Sequence, residues 1–97
     1  MSFGVLFRPA AHRELLSLPR KVRERILARL EELASDPHMP GTEPLRGDLK
    51  GRRKLRTGEY RVVYVVEPDA VVIRAVAVGH RSRVYSTSSR RQGGASG

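Results

Sequence analysis

Two runs of mostly β-branched residues, YRVVYVV (60–66) and AVVIRAVAVG (70–79), stand either side of Glu67-Pro68-Asp69. So short a link makes a hairpin, because a parallel return needs a crossover of a dozen residues or more. A third extended segment, RRKLR (52–56), precedes them across Thr57-Gly58. The second half therefore reads as a three-stranded antiparallel meander. With tight turns, Lys54 is expected opposite Arg61, and Arg61 opposite Val76. Alternation then puts Leu55, Tyr60, Val62, Tyr64, Val66, Val71, Ile73, Ala75 and Ala77 on one apolar face. The other face carries Arg52, Lys54, Arg56, Arg61 and Arg74 among Val63, Val65, Val72, Val76 and Val78. One side is core, and the other is half cationic and open.

Something must cover the apolar side, and the first half supplies it. FGVLFR (3–8) reads as a short strand. Pro9 opens a helix with Ala11, Leu15 and Leu18 on one face, and Pro19 suits the first position of a second. In that second helix Val22, Ile26, Leu27, Leu30, Leu33 and Ala34 recur at spacings of three and four. Asp36-Pro37 ends the hairpin, and DPHMPGTEPLRGDLKG (36–51) reads as a loop. The expected class is α+β: an N-terminal strand, a helical hairpin, then the meander, with the helices on one face of a small sheet. Residues 1–85 make one domain, and the basic, Gly/Ser-rich STSSRRQGGASG (86–97) is expected to be a disordered tail.

Charge narrows the partners. The net charge of +9 is concentrated in residues 45–85, which hold ten Lys/Arg against four Asp/Glu, while residues 1–44 hold seven against six. Sixteen of the nineteen cations are arginine, whose planar fork grips phosphate in bidentate fashion. A nucleic acid is the partner this favours. The chain has no cysteine, no leader-like apolar run at its start, and no stretch approaching the roughly 18 apolar residues of a membrane span. Cytoplasmic location without a membrane partner is the expectation.

The chemistry gathers where the last strand ends, in GHRSRVY (79–85). Lys54, Arg56, Arg61 and Arg81 are expected near one another at one end of the sheet, with Tyr85 just beyond. Four such cations repel unless an anion sits among them, and a phosphodiester is that anion. Cleaving RNA requires deprotonation of a 2′-hydroxyl, stabilisation of a charged pentacoordinate phosphorus, and protonation of the leaving 5′-oxygen. Fixed arginines meet the second need at low reorganisation cost, and Tyr85 or Lys54 is the candidate for the first. His12, His38 and His80 are scattered, and no paired carboxylate or HExxH spacing occurs. No metal or other cofactor is expected, and His80 reads as a capping or packing residue.

In combination these segments resemble the RelE/ParE superfamily of toxins from bacterial toxin–antitoxin pairs, specifically the RelE branch. The similarity runs through LxxLPxxVRxRI (Leu15–Ile26), PLRGDLKG (44–51), KLRTGEYRVVYVV (54–66) and VGHRSRVY (78–85). The resemblance implies a RelE-like microbial ribonuclease fold and a metal-independent, ribosome-dependent endoribonuclease that cuts mRNA in the A site, arresting translation in a stress response. By the same resemblance Arg61, Arg81 and Tyr85 are catalytic, and Arg46, Arg52 and Lys54 grip RNA or assist the base. The family often has lysine where Arg52 stands. Lys50, Arg53, Arg56 and Arg83 complete the surface expected to bind RNA and the ribosome. Implied partners are an acidic RelB-like antitoxin in a hetero-oligomer, the small ribosomal subunit with its mRNA, and operator DNA only through the antitoxin. The alternatives are a ParE-like inhibitor of DNA gyrase and a non-catalytic RNA- or ribosome-binding module.

Overall fold

In the computed structural model, which describes residues 2–85, the meander forms the middle of a larger sheet. Its strands are β3 (Arg53–Thr57), β4 (Tyr60–Glu67) and β5 (Val72–His80). Strand β1 (Gly4–Phe7) adds to β5 in parallel, and β2 (Thr42–Pro44) adds to β3 antiparallel, giving the order β1-β5-β4-β3-β2. The segment read as loop 36–51 thus contains an edge strand and a 3-10 turn, Gly47–Leu49. At three residues, flanked by proline and glycine, β2 has no readable period. The expected tail, residues 86–97, lies outside the described residues.

Helices α1 (Pro9–Leu16) and α2 (Arg20–Ser35) cover one face of the sheet. Pro9 takes the first helical position, while Pro19 caps α2 from outside instead of beginning it. Ala11, Leu15, Ile26, Leu30 and Leu33 are buried, and Leu27 is 40% exposed although it belongs to the expected stripe. Opposite them, Leu55, Val62, Tyr64, Ile73, Ala75 and Val78 complete the main core. Tyr64 is wholly buried, and its hydroxyl is satisfied: it donates to the Pro37 carbonyl at 2.7 Å and accepts from Arg53 Nε at 3.2 Å.

Two departures in register matter for function. The first turn is Gly58-Glu59, with Thr57 opposite Tyr60, so Arg56 and not Lys54 faces Arg61. Gly58 has φ +60°, a left-handed conformation that glycine adopts without steric cost. A two-residue offset preserves the faces. The second departure does not. The β4–β5 register passes from Tyr64 opposite Ala75 to Val63 opposite Ala77, so β5 carries Val76 as an extra residue, a β-bulge. Beyond that point the strand shows its other side: Val78 enters the main core, and Ala77 joins Val63 on the face away from the helices. The expected Ala77-in, Val78-out assignment is therefore reversed, and Arg61 stands opposite Gly79, not Val76.

At the far end of the sheet, Arg74 Nε and Nη2 bond the Glu67 carboxylate at 2.7 and 3.2 Å. The Arg74 hydrogen bond holds the Glu67 carboxyl below its usual range, against an opposing push from burial. Because the folded-state pKa is depressed, any stability from this pair is present at neutral pH and is lost as the pH falls through that value. Both side chains are partly exposed, so the contribution is small.

Tyr64→Phe removes both hydroxyl bonds and strands the buried Pro37 carbonyl. We expect it to cost about 1–3 kcal/mol in urea unfolding at unchanged m-value. Wild-type stability would show that the Tyr64–Pro37 tie does not hold the end of α2 to the sheet.

Candidate nucleic-acid interface

The Gly58-Glu59 hairpin tip anchors both candidate catalytic arginines. Arg61, the second residue of β4, folds back so that its Nη1 donates to the carbonyls of Gly58 and Tyr60 at 2.8 and 2.9 Å. Arg81 follows β5, and its backbone N–H donates to the Glu59 carbonyl at 2.8 Å. Its Nε also lies 3.4 Å from the Glu59 carboxylate. That ion pair is 57% and 62% exposed, so it holds Arg81 only weakly and yields to a stronger anion. Glu59 went unnoticed in the sequence; its only signal there is being the lone acid in a run of cations.

The same face carries the rest of the group. Arg56, exposed, stands directly across from Arg61, a like-charge pair that disfavours folding unless an anion intervenes. Lys54 is half-buried, and its Nζ lies 5.6 Å from the centre of the Tyr85 ring, within cation–π range. Tyr85 and Val84 belong to the turn that folds back after β5, where they pack with Val63, Ala77 and Leu45 in a second, small core. The face is therefore not simply open: the chain's return covers its middle. The Tyr85 hydroxyl is itself buried and has no hydrogen-bond partner among the described residues. An orphaned buried hydroxyl is costly, so the arrangement favours turning Tyr85 outward when a partner is offered.

Of the other expected RNA-binding residues, Arg52 shares the Lys54–Arg56 face by alternation and is half-buried. Arg46 and Lys50 flank the Gly47–Leu49 turn, exposed; Arg83 is exposed too, but it lines a pocket against α1 with Glu14, Ser17, Leu18 and Tyr60. Arg53 is not part of the group. It points to the helix side, where Nε bonds Tyr64 and Nη2 donates to Thr42 Oγ1 at 2.9 Å. Alternation from Leu55 already implies that side. His80 caps the turn: its Nδ1 accepts the Ser82 N–H at 3.1 Å, and the ring meets Tyr60 edge-on. Among the described residues, no three His, Asp or Glu side chains gather as a metal site, and no helix is long and apolar enough to cross a membrane.

A family model described as the ParE toxin of type II toxin–antitoxin systems matches residues 5–85. A RelE-like toxin protein of Escherichia coli is 35% identical over 95 residues, covering 94% of this chain and 98% of the relative. The mRNA interferase toxin RelE of Escherichia coli (strain K12) is 34% identical over 94 residues, with 94% and 98% covered. Among solved structures, the RelBE2 toxin–antitoxin complex of Mycobacterium tuberculosis superposes with a TM-score of 0.76 at 27% identity, over 84% of this chain and all of that one. The chain belongs to the RelE/ParE superfamily, on the RelE side, and is the toxin of a toxin–antitoxin pair.

The geometry separates two neighbouring arginines. Arg56→Ala should lower the slope of log affinity against log salt for single-stranded RNA by about 0.7, one phosphate contact. Arg53→Ala should leave that slope unchanged and lower the melting temperature instead. The reverse pattern would mean that the face assignment of β3 is wrong.

Proposed function

We propose that this toxin is a ribosome-dependent endoribonuclease that cuts mRNA in the A site by 2′-hydroxyl attack and needs no metal. One observation carries the reading: the side chain of Arg61 on β4 and the backbone of Arg81, just past the end of β5, are both held by the Gly58-Glu59 hairpin tip, at the end of the sheet that also bears Lys54, Arg56 and Tyr85. The kinship with an mRNA interferase supports it.

In this scheme Arg61 trades its carbonyl partners for the scissile phosphate, and Arg81 trades Glu59 for the leaving side of it. Lys54 or Tyr85 is the group that takes the 2′-hydroxyl proton. The 2′-oxygen bonds to phosphorus, the bond to the 5′-oxygen breaks, and that oxygen leaves with a proton supplied by solvent water or by Tyr85. The products are a 2′,3′-cyclic phosphate and a 5′-hydroxyl. Charge building on the phosphoryl oxygens meets guanidinium groups already in place, where most of the rate acceleration arises. Arg81 stabilises the leaving oxygen as a cation, because a guanidinium scarcely gives up a proton. Tyr85 leaves its small core, stacks on a base and becomes available for proton transfer. Arg46, Lys50, Arg52 and Arg83 bind the RNA and ribosomal backbone, which fixes register without reading sequence. The antitoxin partner is acidic, complementing the basic face, and recruits operator DNA itself.

Arg61→Ala, Arg81→Ala and Tyr85→Ala should each relieve the growth arrest caused by unpartnered toxin. Each should also slow mRNA cleavage on programmed ribosomes by orders of magnitude. Wild-type cleavage by the Arg81 variant would overturn the assignment.

The ParE name of the matching family model favours a second reading, gyrase inhibition. Induction of the toxin distinguishes them. The nuclease reading gives mRNA fragments with 2′,3′-cyclic phosphate ends, formed by chemistry that EDTA does not stop while ribosomes stay intact. Double-strand DNA breaks and an SOS response, with mRNA left whole, would establish the other.

A further inference from the structure

We propose that Glu14, on α1 and outside the basic group, is the positioning residue that fixes which face of the sheet Arg81 occupies. The proposal rests on the nuclease reading for its kinetic consequence, but its structural part stands without it.

The argument begins with parity. Before the bulge, Ala75 faces the helices opposite Tyr64; after it, Ala77 and Gly79 lie opposite Val63 and Arg61, away from the helices. Arg81 continues that alternation through its backbone bond to Glu59. Had β5 kept a regular ladder past Ala75, then Ala77, Gly79 and Arg81 would all face the helices. The extra residue at Val76 is what turns Arg81 toward Arg61.

A bulge needs something to hold it, and the obvious neighbour is missing. Strand β1 pairs with β5 only as far as Phe7 opposite Ala75, and the chain then leaves as α1. In an antiparallel pair, successive N–H groups point to alternate sides. The Arg81 N–H points toward the β3–β4 hairpin, so the Val78 N–H points to the edge that β1 has left. There the Glu14 carboxylate takes it: Val78 N donates to Glu14 Oε1 at 3.0 Å. A charge-assisted bond of this kind is among the stronger single hydrogen bonds a side chain makes to backbone. Glu14 stands in for the missing strand two residues after the bulge and three before Arg81. Ser17 Oγ donates to the Glu14 carbonyl at 2.7 Å, which ties the end of α1 locally. With Glu14 gone, β5 can revert to the regular ladder, which carries Arg81 to the wrong face.

The test uses the full chain with Glu14→Leu, Glu14→Gln, deletion of Val76, and Glu14→Leu combined with that deletion. Glutamine keeps an acceptor oxygen and should preserve the register. In Glu14→Leu, the Val78 amide should exchange with solvent at least tenfold faster, and NMR contacts between Ala77 and Val63 should weaken. Cleavage on programmed ribosomes should fall in kcat toward the level of Arg81→Ala with KM little changed. Adding Arg81→Ala to Glu14→Leu should then lower cleavage no further. The deletion is the sharpest arm. Without Val76 a regular ladder itself pairs Val63 with Ala77 and sends Arg81 to the working face, so the deletion should rescue Glu14→Leu. Intact Ala77–Val63 contacts in a folded Glu14→Leu variant, or no rescue by the deletion, would overturn the proposal. Should Arg81→Ala cleave normally, the nuclease reading fails, and the exchange and contact measurements still decide the role of Glu14. If Glu14→Leu does not fold, the deletion background, in which the clamp is not needed, decides it.

Discussion

The pairing of β4 with β5, with its one-residue step at Val76, is the constraint on which the other features rest. It sends residues of β4 and β5 into two cores of unequal size, Val62, Tyr64, Ile73, Ala75 and Val78 into one and Val63 and Ala77 into the other. Past the step, the larger Val78 replaces Ala77 under the helices. Two extra buried carbons are worth about 1.6 kcal/mol at ~0.8 kcal/mol per methylene. That gain offsets part of the disruption a bulge brings to the ladder. The same step leaves the small Ala77 under the returning turn, where Val84 and Tyr85 need room. Packing and site geometry therefore favour the same register that the Glu14–Val78 bond holds.

The second feature is electrostatic. The hairpin end sets Arg56 opposite Arg61 and ties Arg81 to Glu59, and only Glu59 among the residues bonded there answers their charge. Arg61 is held by neutral carbonyls and Arg81 by a well-solvated carboxylate. Both arrangements orient a guanidinium without neutralising it, so the site stays short of negative charge. A phosphate backbone supplies that charge, and so does an acidic partner chain. On the proposed reading, RNA and an acidic antitoxin are drawn by the same imbalance; a relative is solved in complex with its antitoxin. At the opposite end of the sheet Arg74 is matched by Glu67.

Most of this architecture was legible in the sequence, because its signals are local. β-branched runs between turn residues marked β4 and β5, spacing of three and four marked the buried face of α2, and the cations of 52–61 with Arg81 and Tyr85 marked the candidate site. What escaped depends on distant contacts. A bulge within AVVIRAVAVG has no signal, since any of its valines could be the extra residue. The edge position of β1 and the existence of β2 follow from the meander's unfilled edges, not from their own residues. Glu14 meets Val78 across 64 positions of sequence. Arg53 is a different case: alternation from Leu55 already sent it to the helix side, and grouping it with its cationic neighbours set that parity aside.

The central claim is that Arg61 on β4 and Arg81 just past β5, both held at one hairpin tip, act on one phosphate. A double-mutant cycle in single-turnover mRNA cleavage on programmed ribosomes tests it most directly, because groups in one network are coupled while independent ones are additive in free energy. The account predicts strong coupling: the Arg61→Ala, Arg81→Ala double variant should cleave within about tenfold, some 1.4 kcal/mol, of the slower single variant. Losses that multiply in full would place the two arginines in separate tasks and contradict the account.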